Sequence, residues 1–452
     1  MDVNKTELKR LGYNFLGLIN DIKRRPEDAA KELGVSIEEI NSIINGEKEI
    51  SYDIIKKAVE TWPLNPRDFF LIQDDCPEGI KIMRAEQSKS TSRVMDRANL
   101  PFYEYRDTAM SSVSLFRPEW IEELCYVDND PENPDAQWNN GHFLHQFTYF
   151  IGDVNYYYND DGKQKKIFVT KTGDSVYGTP FRPHTFTTRK GAEKNGLILA
   201  LTYGNKIAAD TQQELSAIGP ELGIQYHLDF STREKAFSSL LKFNLDAASF
   251  TVEELSKRTK IDVSQIEQYL NGNSPIPDFS KIQNLAKALT INSKDLLPPD
   301  IIEEKVIPKK HEESPRWFYP SGLKTYEMIE LAQSRNLPYS KAIELHVLEN
   351  SNDDLDLKVG LHQYVYNVGE SDIRFNWKIG GKIHQEKIAP NDSIYIKPFV
   401  EHSFRGLGQI MVLRIGGRMS GDAQIEFSNL SKDDAHRAIN ETQMWFDPAG
   451  KH

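Results

Sequence analysis

Residues 141–184 read GHFLHQFTYFIGDVNYYYNDDGKQKKIFVTKTGDSVYGTPFRPH, and the rest of the chain can be interpreted around them. Residues 142–148 show an alternating pattern, which predicts a β-strand whose successive side chains point to opposite faces. His142 and Gln146 then share one face, and His145 points to the other. Asn-Asp-Asp-Gly at 159–162 separates two strand-like runs, which predicts a hairpin turn.

A further strand is predicted from Gly173 through Pro180 to His184. An antiparallel β-barrel would bring both ends of the segment together, so that His142, Gln146 and His184 converge. Two imidazoles and one oxygen donor, with coordination positions left open, are similar to a mononuclear iron(II) oxygenase site. We therefore predict a metal site, and the alternative is a metal-free barrel with polar interior residues.

The spacing of these residues resembles that of the cupin family. The first cupin motif has two histidines separated by one residue and a glutamate four residues after the second histidine. The second motif has a glycine, a proline and a histidine. In this chain Gln146 replaces the glutamate, Asn140 stands where the other histidine would be, and Pro180 and His184 match the second motif. The predicted site is therefore less charged than a typical cupin site.

The composition narrows the class of protein. A length of 452 residues predicts about two to four domains with ample buried cores. The two cysteines, Cys76 and Cys125, exclude a disulfide framework and indicate a reducing, cytoplasmic environment. The net charge of −12 does not favour a nucleic-acid partner. We find no signal peptide and no apolar run near the ~20 residues that span a bilayer, so we expect no membrane partner.

Three sequence blocks occur twice in the same order, which indicates an internal duplication. The matched blocks are residues 99–110 with 336–347, 145–153 with 362–370, and 173–186 with 391–404. In the second copy Val359 stands in the place of His142, whereas Gln363 and His402 match Gln146 and His184. We therefore expect the second copy to bind no metal.

Each copy is preceded by a helical segment. Residues 26–46 and 252–272 both show a helix, a turn and a second helix that closes with Asn-Gly, similar to repressor-like helix-turn-helix proteins. The first candidate recognition helix carries Glu38 and Glu39 and lacks Lys and Arg, so it would repel DNA phosphates. We expect these helices to serve packing or oligomer contacts, with operator binding as the alternative.

Three groups outside the predicted metal ligands are candidates for binding an anion. Lys23 begins the cationic run Lys-Arg-Arg, Arg106 follows a tyrosine-rich strand pattern, and Asn139 lies three residues before His142. Arg106 matches Ile343 in the second copy, so its charge occurs only in the copy that keeps the metal ligands. For Lys23, the alternative is a solvated cation at a helix C-terminus.

This combination resembles the iron(II) phosphonate oxygenases: a repressor-like helix-turn-helix and a cupin, duplicated, with metal ligands only in the first copy. The family includes hydroxyethylphosphonate dioxygenase and methylphosphonate synthase, and the resemblance covers nearly the whole chain. In the dioxygenase one ligand is a glutamate six residues before the second histidine, where this chain has Gly178. In the synthase the corresponding ligand is a glutamine four residues after the first histidine, where this chain has Gln146.

The resemblance implies the site and its partners. His142, Gln146 and His184 would bind Fe(II), and Arg106, Asn139 and Lys23 would contact a phosphonate. Lys23 would be donated in trans, which implies a homo-oligomer. The partners would be 2-hydroxyethylphosphonate and O2, and the substrate would supply all the electrons, so 2-oxoglutarate, NADH and flavin would not be needed.

The implied fold class is α+β, a duplicated unit of a repressor-like helix-turn-helix domain followed by a cupin β-barrel. The expected domains are residues 1–75 (helix-turn-helix), 76–230 (catalytic cupin), 231–305 (second helix-turn-helix) and 306–452 (second, metal-free cupin). The implied reaction is oxidative cleavage of the carbon–carbon bond of 2-hydroxyethylphosphonate to methylphosphonate and bicarbonate. The alternatives are the dioxygenase reaction, which gives hydroxymethylphosphonate and formate, and a cupin-type transcriptional regulator.

Overall fold

The computed structural model describes residues 5–114, 116–204, 207–300, 304–348 and 354–440, so the two ends of the expected domains, residues 1 and 452, lie outside these ranges. Within these ranges, helices alternate with β-sheets along the chain. None of the described helices has both the length and the apolar character that crossing a membrane requires.

The α-helices of the described ranges are α1 (Lys5–Asp21), α2 (Pro26–Leu33), α3 (Ile37–Ile44), α4 (Tyr52–Thr61), α5 (Ala85–Ser90), α6 (Asp210–Ile218), α7 (Pro220–Gly223), α8 (Arg233–Ala247), α9 (Val252–Thr259), α10 (Val263–Leu270), α11 (Phe279–Leu289), α12 (Asp422–Ser428) and α13 (Lys432–Asn440). Short 3-10 helices lie at Pro66–Phe69, Ile224–Tyr226, Ser293–Leu296 and His311–Glu313.

The strands are β1 (Ile80–Met83), β2 (Arg93–Arg97), β3 (Leu100–Asp107), β4 (Arg117–Glu123), β5 (Tyr126–Val127), β6 (His145–Ile151), β7 (Val154–Tyr158), β8 (Lys166–Val169), β9 (Ser175–Gly178), β10 (His184–Arg189), β11 (Gly196–Tyr203), β12 (Val306–Lys309), β13 (Arg316–Tyr319), β14 (Tyr326–Glu330), β15 (Ser340–Val347), β16 (His362–Asn367), β17 (Ile373–Ile379), β18 (Lys382–Ile388), β19 (Ser393–Ile396), β20 (Glu401–Arg405) and β21 (Gly408–Ile415). The predicted hairpin at 159–162 is confirmed, because β7 and β8 pair antiparallel on either side of it.

One group of helices precedes the sheets of each half. Helices α1–α4 and α8–α11 follow the same order, and a 3-10 helix comes after the last helix of each group. The tight turn between α2 and α3 needs a left-handed residue, which is Gly34 at φ +66°, and Lys260 at φ +61° has the same place between α9 and α10. Each group buries its own apolar core, so both are packed helical units.

The strands form two seven-stranded sheets, each accompanied by a smaller one. The first has the order β12-β9-β6-β11-β4-β3-β2 with β5-β10-β7-β8, and the second has the order β1-β19-β16-β21-β15-β14-β13 with β18-β17-β20. One core lies inside the first pair of sheets and another inside the second pair. A third core joins the two seven-stranded sheets and contains residues of both, including Tyr149, Tyr177, Tyr366 and Tyr395.

The outermost strand of each large sheet comes from the other half of the chain. Val306 of β12 is the register partner of Gly178 on β9, and Ile80 of β1 is the register partner of Ile396 on β19. The expected domain bounds placed β1 with the first barrel and β12 with the second. Backbone pairing assigns both strands to the opposite sheet, so the two halves exchange edge strands.

The strand orders also correct one of the matched sequence blocks. Residues 99–110 contain β3, whereas 336–347 contain β15, and β15 has the sheet position of β4. The true counterpart of β3 is β14, because Tyr103 and Tyr326 make equivalent bonds: their hydroxyls accept from the backbone amides of Phe186 and Phe404 at 3.1 Å. The match of 99–110 with 336–347 was therefore wrong. In the corrected register Tyr103 matches Tyr326, so Arg106 corresponds to Ile329 and not to Ile343.

Candidate metal centre

His142 lies in irregular backbone just before β6, not on a strand that begins at residue 142 as predicted. Gly141 has φ +77°, and a Cβ there would lie 2.7 Å from the backbone carbon of Phe181, so only glycine fits. The backbone amide of Phe181 donates to the carbonyl of His142 at 2.7 Å. These contacts fix the loop and place the imidazole of His142 over the start of β6.

The three predicted metal ligands converge. His142 Nε2 lies 2.8 Å from Gln146 Oε1, and the imidazole centroids of His142 and His184 are 5.3 Å apart. Gln146 is near the start of β6 and His184 is the first residue of β10, so two strands of different sheets and one loop supply the three side chains. His184 is buried, whereas Gln146 and His142 are half-buried.

Hydrogen bonds fix the orientation of both imidazoles. His142 Nδ1 lies 2.8 Å from the carbonyl oxygen of Leu144, and His184 Nδ1 lies 2.8 Å from the carbonyl oxygen of Arg182. A carbonyl only accepts, so each Nδ1 carries a proton and Nε2 is the nitrogen left to bind a metal. This is the tautomer that a metal-binding histidine needs when Nε2 is the ligand atom.

The facing pair His142 and Gln146 matches a metal site better than a hydrogen bond. Gln146 Nε2 donates to Thr148 Oγ1 at 2.9 Å, so Gln146 Oε1 is the atom that faces His142 Nε2. When Nε2 of His142 carries no proton, two acceptor atoms lie 2.8 Å apart, an arrangement that a cation between them stabilises. Two imidazole nitrogens and an amide oxygen are suitable donors for Fe(II).

Asn139 holds His184 from the other side. Its Oδ1 accepts from the backbone amides of Gly141 at 2.9 Å and His184 at 3.0 Å, which leaves Nδ2 to donate to His184 Nε2 at 3.1 Å. The predicted candidate Asn139 therefore does lie at this centre, next to a ligand atom.

The three side chains lie at the bottom of a pocket in the first half of the structure. Its lining is formed by His142, Gln146, Thr148, Tyr156, Val176, Gly178, Thr179, Arg182 and His184. Burial lowers the pKa of His184 to about 4, the hydrogen bond to the carbonyl of Arg182 opposes this shift, and the guanidinium charge of Arg97 adds to it. Burial thus keeps the His184 imidazole neutral, as a metal ligand must be.

The structure does not bring Arg106 to this pocket. Arg106 Nε lies 2.7 Å from Glu104 Oε1, and its Nη2 lies 2.8 Å from Glu122 Oε2. These carboxylates raise the pKa of Arg106, and the hydrogen bond that Arg106 donates to Glu104 is the main cause. Arg106 and Glu104 alternate with Tyr103 and Tyr105, whose rings pack in the interior core, so Arg106 points away from it.

Lys23 also lies outside the pocket of its own chain. It is exposed at the end of α1, where its Nζ donates to the carbonyl of Asp21 at 2.6 Å. Its neighbour Arg24 is engaged by Glu32 Oε2 at 3.2 Å and by the carbonyl of Ile22 at 2.7 Å. Of these two cations, Lys23 has the more exposed side chain.

Two arginines near the centre were missed by the sequence analysis. Arg182 lines the pocket, and its place two residues before His184 in Phe-Arg-Pro-His was a usable signal. Arg97 Nη1 donates to Thr185 Oγ1 at 3.2 Å, next to His184, and its guanidinium lies 4.6 Å from the ring centroid of Tyr103. No comparable signal in the sequence marks Arg97, because the β2–β3 hairpin and β10 meet only in the folded protein.

In the second half an arginine lies at the corresponding position. Arg414 Nε donates to Gln363 Oε1 at 3.2 Å, and Arg414 is the register partner of Gln363 between β21 and β16. In the first half the register partner of Gln146 is Thr202, which carries no charge. His402 is 1% exposed and its Nδ1 lies 2.8 Å from the carbonyl of Val400. In the second half the side-chain oxygen of Gln363 therefore faces the guanidinium of Arg414, whereas no such cation faces Gln146 from the partner position in the first half.

Comparisons with known proteins agree with this fold. Residues 241–299 match the Cro/C1-type helix-turn-helix DNA-binding domain. The hydroxyethylphosphonate dioxygenase of Streptomyces albus, solved with 2-hydroxyethylphosphonate and Fe(II) bound, has a TM-score of 0.89 at 32% identity, over 98% of this chain and 100% of that chain. The fold is that of the non-haem iron dioxygenases of phosphonates.

Sequence relatives define the group more narrowly. The methylphosphonate synthase of Nitrosopumilus maritimus is 55% identical over 447 residues, which are 98% of this chain and 97% of that protein. The 2-hydroxyethylphosphonate dioxygenase of Streptomyces viridochromogenes is 22% identical over 365 residues, which are 76% of this chain and 78% of that protein. The chain belongs to the methylphosphonate synthase family, as the sequence resemblance predicted.

Proposed function

We propose that this chain is a non-haem iron(II) oxygenase that uses O2 to cleave the carbon–carbon bond of 2-hydroxyethylphosphonate and releases methylphosphonate and bicarbonate. The observation that carries this proposal is the 2.8 Å approach of His142 Nε2 to Gln146 Oε1 beside the neutral imidazole of His184. These donors are suitable for Fe(II), and the same fold in Streptomyces albus holds Fe(II) and 2-hydroxyethylphosphonate.

In this proposal His142 Nε2, His184 Nε2 and Gln146 Oε1 hold the iron. Bound Fe(II) supplies the activation of O2. The carbonyls of Leu144 and Arg182 keep the Nδ1 protons in place, so both rings stay oriented as ligands. The three donors leave room for substrate and O2 in the remaining positions.

Cations and an amide would bind the phosphonate. Arg182 lines the pocket and Arg97 adjoins His184, so we propose these two arginines in place of Arg106, whose guanidinium is already neutralised by two glutamates. Asn139 Nδ2 donates toward the centre and would turn to a phosphonate oxygen. Charge-assisted hydrogen bonds of this kind suit a dianionic ligand.

We further propose that Lys23 reaches this pocket from a second subunit of a homo-oligomer. Lys23 is exposed just beyond the end of α1, and this exposure supports it as the donated cation. The negative phosphonate would then be bound at a subunit boundary, and each chain would complete its partner's site.

The neutral third ligand would direct the reaction towards methylphosphonate. Gln146 adds no negative charge to the iron, so the metal stays more electron-poor than with a glutamate. Gly178, which lines the same pocket, leaves that side free of a carboxylate. With a carboxylate at either position, we expect more of the dioxygenase products.

We interpret the architecture as a duplicated helix-turn-helix and cupin unit. Equivalent hydrogen bonds support this: Ser393 Oγ accepts from the amide of Ala109 at 2.8 Å, and Ser175 Oγ accepts from the amide of Ala332 at 2.9 Å. The proposed domains keep the expected bounds 1–75, 76–230, 231–305 and 306–452, with β1 and β12 exchanged. Arg414 supports a second barrel that holds no metal at the position corresponding to the proposed iron centre, since its guanidinium lies against Gln363.

A second candidate function, DNA binding, is favoured by the helix-turn-helix match over residues 241–299. The corresponding recognition helix is α10, which has Gln265 and Gln268 but neither Lys nor Arg. A mobility-shift assay with mixed genomic fragments at low salt tests this candidate. A salt-sensitive complex that is lost in Gln265→Ala/Gln268→Ala would support a regulator.

The proposed reaction is tested by loading the protein with Fe(II) without air, adding 2-hydroxyethylphosphonate and O2, and recording phosphorus NMR spectra. We expect a methylphosphonate signal, its loss in His184→Ala, and its retention in His384→Ala, which removes a half-buried histidine of the second half. Hydroxymethylphosphonate as the sole product would replace the proposal by the dioxygenase reaction. Unchanged substrate with iron bound would overturn the substrate assignment.

A further inference from the structure

A second cluster of potential metal ligands lies at the boundary between the two halves of the chain. It consists of His311, in the 3-10 helix that follows β12, and Glu344 and His346 on β15. Residues two apart on a strand share a face, so Glu344 and His346 point the same way. One ligand atom from each of the three residues lies within 4.8 Å of the other two.

The carboxylate lies inside and the imidazoles lie outside. Glu344 Oε1 is 2.6 Å from His346 Nε2 and 3.1 Å from His311 Nε2. The side chain of Glu344 is 0% exposed, whereas those of His311 and His346 are 23% and 30% exposed. An ion from solvent can therefore reach the imidazoles, and a buried negative charge lies behind them.

Surrounding side chains orient this cluster. Tyr149 Oη donates to Glu344 Oε2 at 2.7 Å, and Gln409 Nε2 donates to Glu344 Oε1 at 2.7 Å. Glu327 Oε2 lies 3.5 Å from His346 Nδ1, where it can accept the Nδ1 proton. A carboxylate behind the second nitrogen of a histidine is a recurrent support of metal-binding imidazoles.

We propose that His311, Glu344 and His346 form a second divalent transition-metal site, best suited to Zn²⁺ and separate from the His142–Gln146–His184 centre. Two imidazole nitrogens and one carboxylate oxygen are donors that zinc accepts, and water takes the fourth position. When zinc binds, His346 releases its Nε2 proton and keeps an Nδ1 proton facing Glu327, whereas the proton of His311 moves from Nε2 to Nδ1. Glu344 Oε1 then contacts the ion in place of the two Nε2 protons.

One cation opposes binding and gives the proposal a specific signature. Arg316 Nη2 lies 3.4 Å from His311 Nδ1, and its Nη1 lies 3.6 Å from Glu327 Oε2. Zinc at His311 Nε2 requires a proton on Nδ1, which repels the guanidinium, so Arg316 must turn fully to Glu327. Removing the charge of Arg316 should therefore strengthen zinc binding. If the cluster were only a structural ion-pair network, the same change would not do so.

The position of the site indicates a structural role. His311 follows β12, the strand that the second half contributes to the first sheet, and Tyr149 lies on β6 of that sheet. Glu344 and His346 belong to the second sheet. An ion bound by all three ligands would fasten the exchanged strand to the sheet of its own half.

The test uses the full chain with His142→Ala and His184→Ala, so that the first centre cannot contribute. Zinc binding is measured by equilibrium dialysis at neutral pH, and the thermal midpoint with and without zinc. We expect one zinc per chain and a higher midpoint. His311→Ala or His346→Ala should each weaken binding at least ~10–100-fold, the loss caused even by removing a supporting group. Arg316→Met should strengthen it.

His227→Ala is the matched control, because it removes an exposed histidine far from the cluster in sequence and should leave zinc binding unchanged. Circular dichroism confirms that each variant is folded. Failure of the double variant to bind zinc, or zinc binding that survives both His311→Ala and His346→Ala, would overturn the proposal. In that case the three residues form only a buried ion-pair network.

Discussion

Gly178 on β9 is the register partner of Gln146 on β6, and both line the same pocket. A Cβ at position 178 would meet Tyr156 Oη at 4.0 Å as its nearest neighbour, and the backbone there has an ordinary φ. A side chain at 178 can therefore enter the pocket without displacing the fold.

This pairing predicts the effect of a carboxylate on the product. Gly178→Glu and Gln146→Glu each place a negative charge beside the proposed iron and should shift the products from methylphosphonate towards hydroxymethylphosphonate and formate. Gly178→Ala is the control and should keep methylphosphonate as the main product. Phosphorus NMR gives the ratio. An unchanged ratio in both glutamate variants would exclude ligand charge as the cause.

Arg97 and Arg106 form a matched pair for testing substrate binding. Hydrogen bonds to charged groups contribute about 1.5–3 kcal/mol, so Arg97→Ala should raise the KM for 2-hydroxyethylphosphonate about ten- to a hundredfold. Arg106→Ala removes a guanidinium bound by Glu104 and Glu122 and should leave KM nearly unchanged. A larger increase in KM for Arg106→Ala than for Arg97→Ala would show that Arg106, the candidate predicted from the sequence, binds the phosphonate.

Donation of Lys23 in trans predicts complementation. Lys23→Ala lacks the donated cation and His184→Ala lacks a ligand, so each variant alone should have little activity. In a two-fold symmetric dimer that mixes both variants, one site is complete, and random mixing should restore about a quarter of the wild-type rate. Arg24→Ala serves as the control with near-normal activity. If the mixture stays inactive, Lys23 does not act across subunits.

Glu344 predicts an acid limit to stability in metal-free protein. Its pKa is lowered from 4.5 to about 2, since hydrogen bonds from His311, His346 and Tyr149 outweigh the desolvation that raises it. A depressed carboxyl pKa stabilises the fold above the unfolded value and loses that contribution as the pH falls towards 2. This shift corresponds to about 3 kcal/mol. Urea unfolding should show the gap between wild type and Glu344→Gln closing from pH 6 to pH 3.

Glu123 predicts the opposite pH dependence. Its side chain is 0% exposed, neither carboxyl oxygen has a hydrogen-bond partner among the described residues, and burial raises its pKa against the attraction of Arg97. An acid with a raised pKa destabilises the fold increasingly as the pH rises above its unfolded value. Glu123→Gln should therefore be more stable than wild type at pH 8. Near pH 4 the two proteins should unfold at similar urea concentrations.

Local sequence patterns were sufficient for part of this centre. The spacing from His142 to Gln146, the Asn-Asp-Asp-Gly turn and the position of His184 predicted the convergence, because antiparallel strands that fold back on one another bring the two ends of this segment together. The same reasoning failed for the strand start, since Gly141 and the His142 loop follow no strand period. Arg97 and the His311–His346 cluster depend on contacts between distant strands, which local periodicity does not encode.

The exchange of β1 and β12 has a consequence for synthesis of the chain. The outer edge of β9 is complete only after residues 306–309 have emerged from the ribosome, although every proposed iron ligand has emerged by residue 184. Until then that strand presents unpaired amides and carbonyls, which other chains can pair with. Residues 80–83 are synthesised early, but they cannot pair with their partner strand until residues 393–396 have been synthesised. Neither half can finish folding alone, so loss of the second half would expose the first half to aggregation.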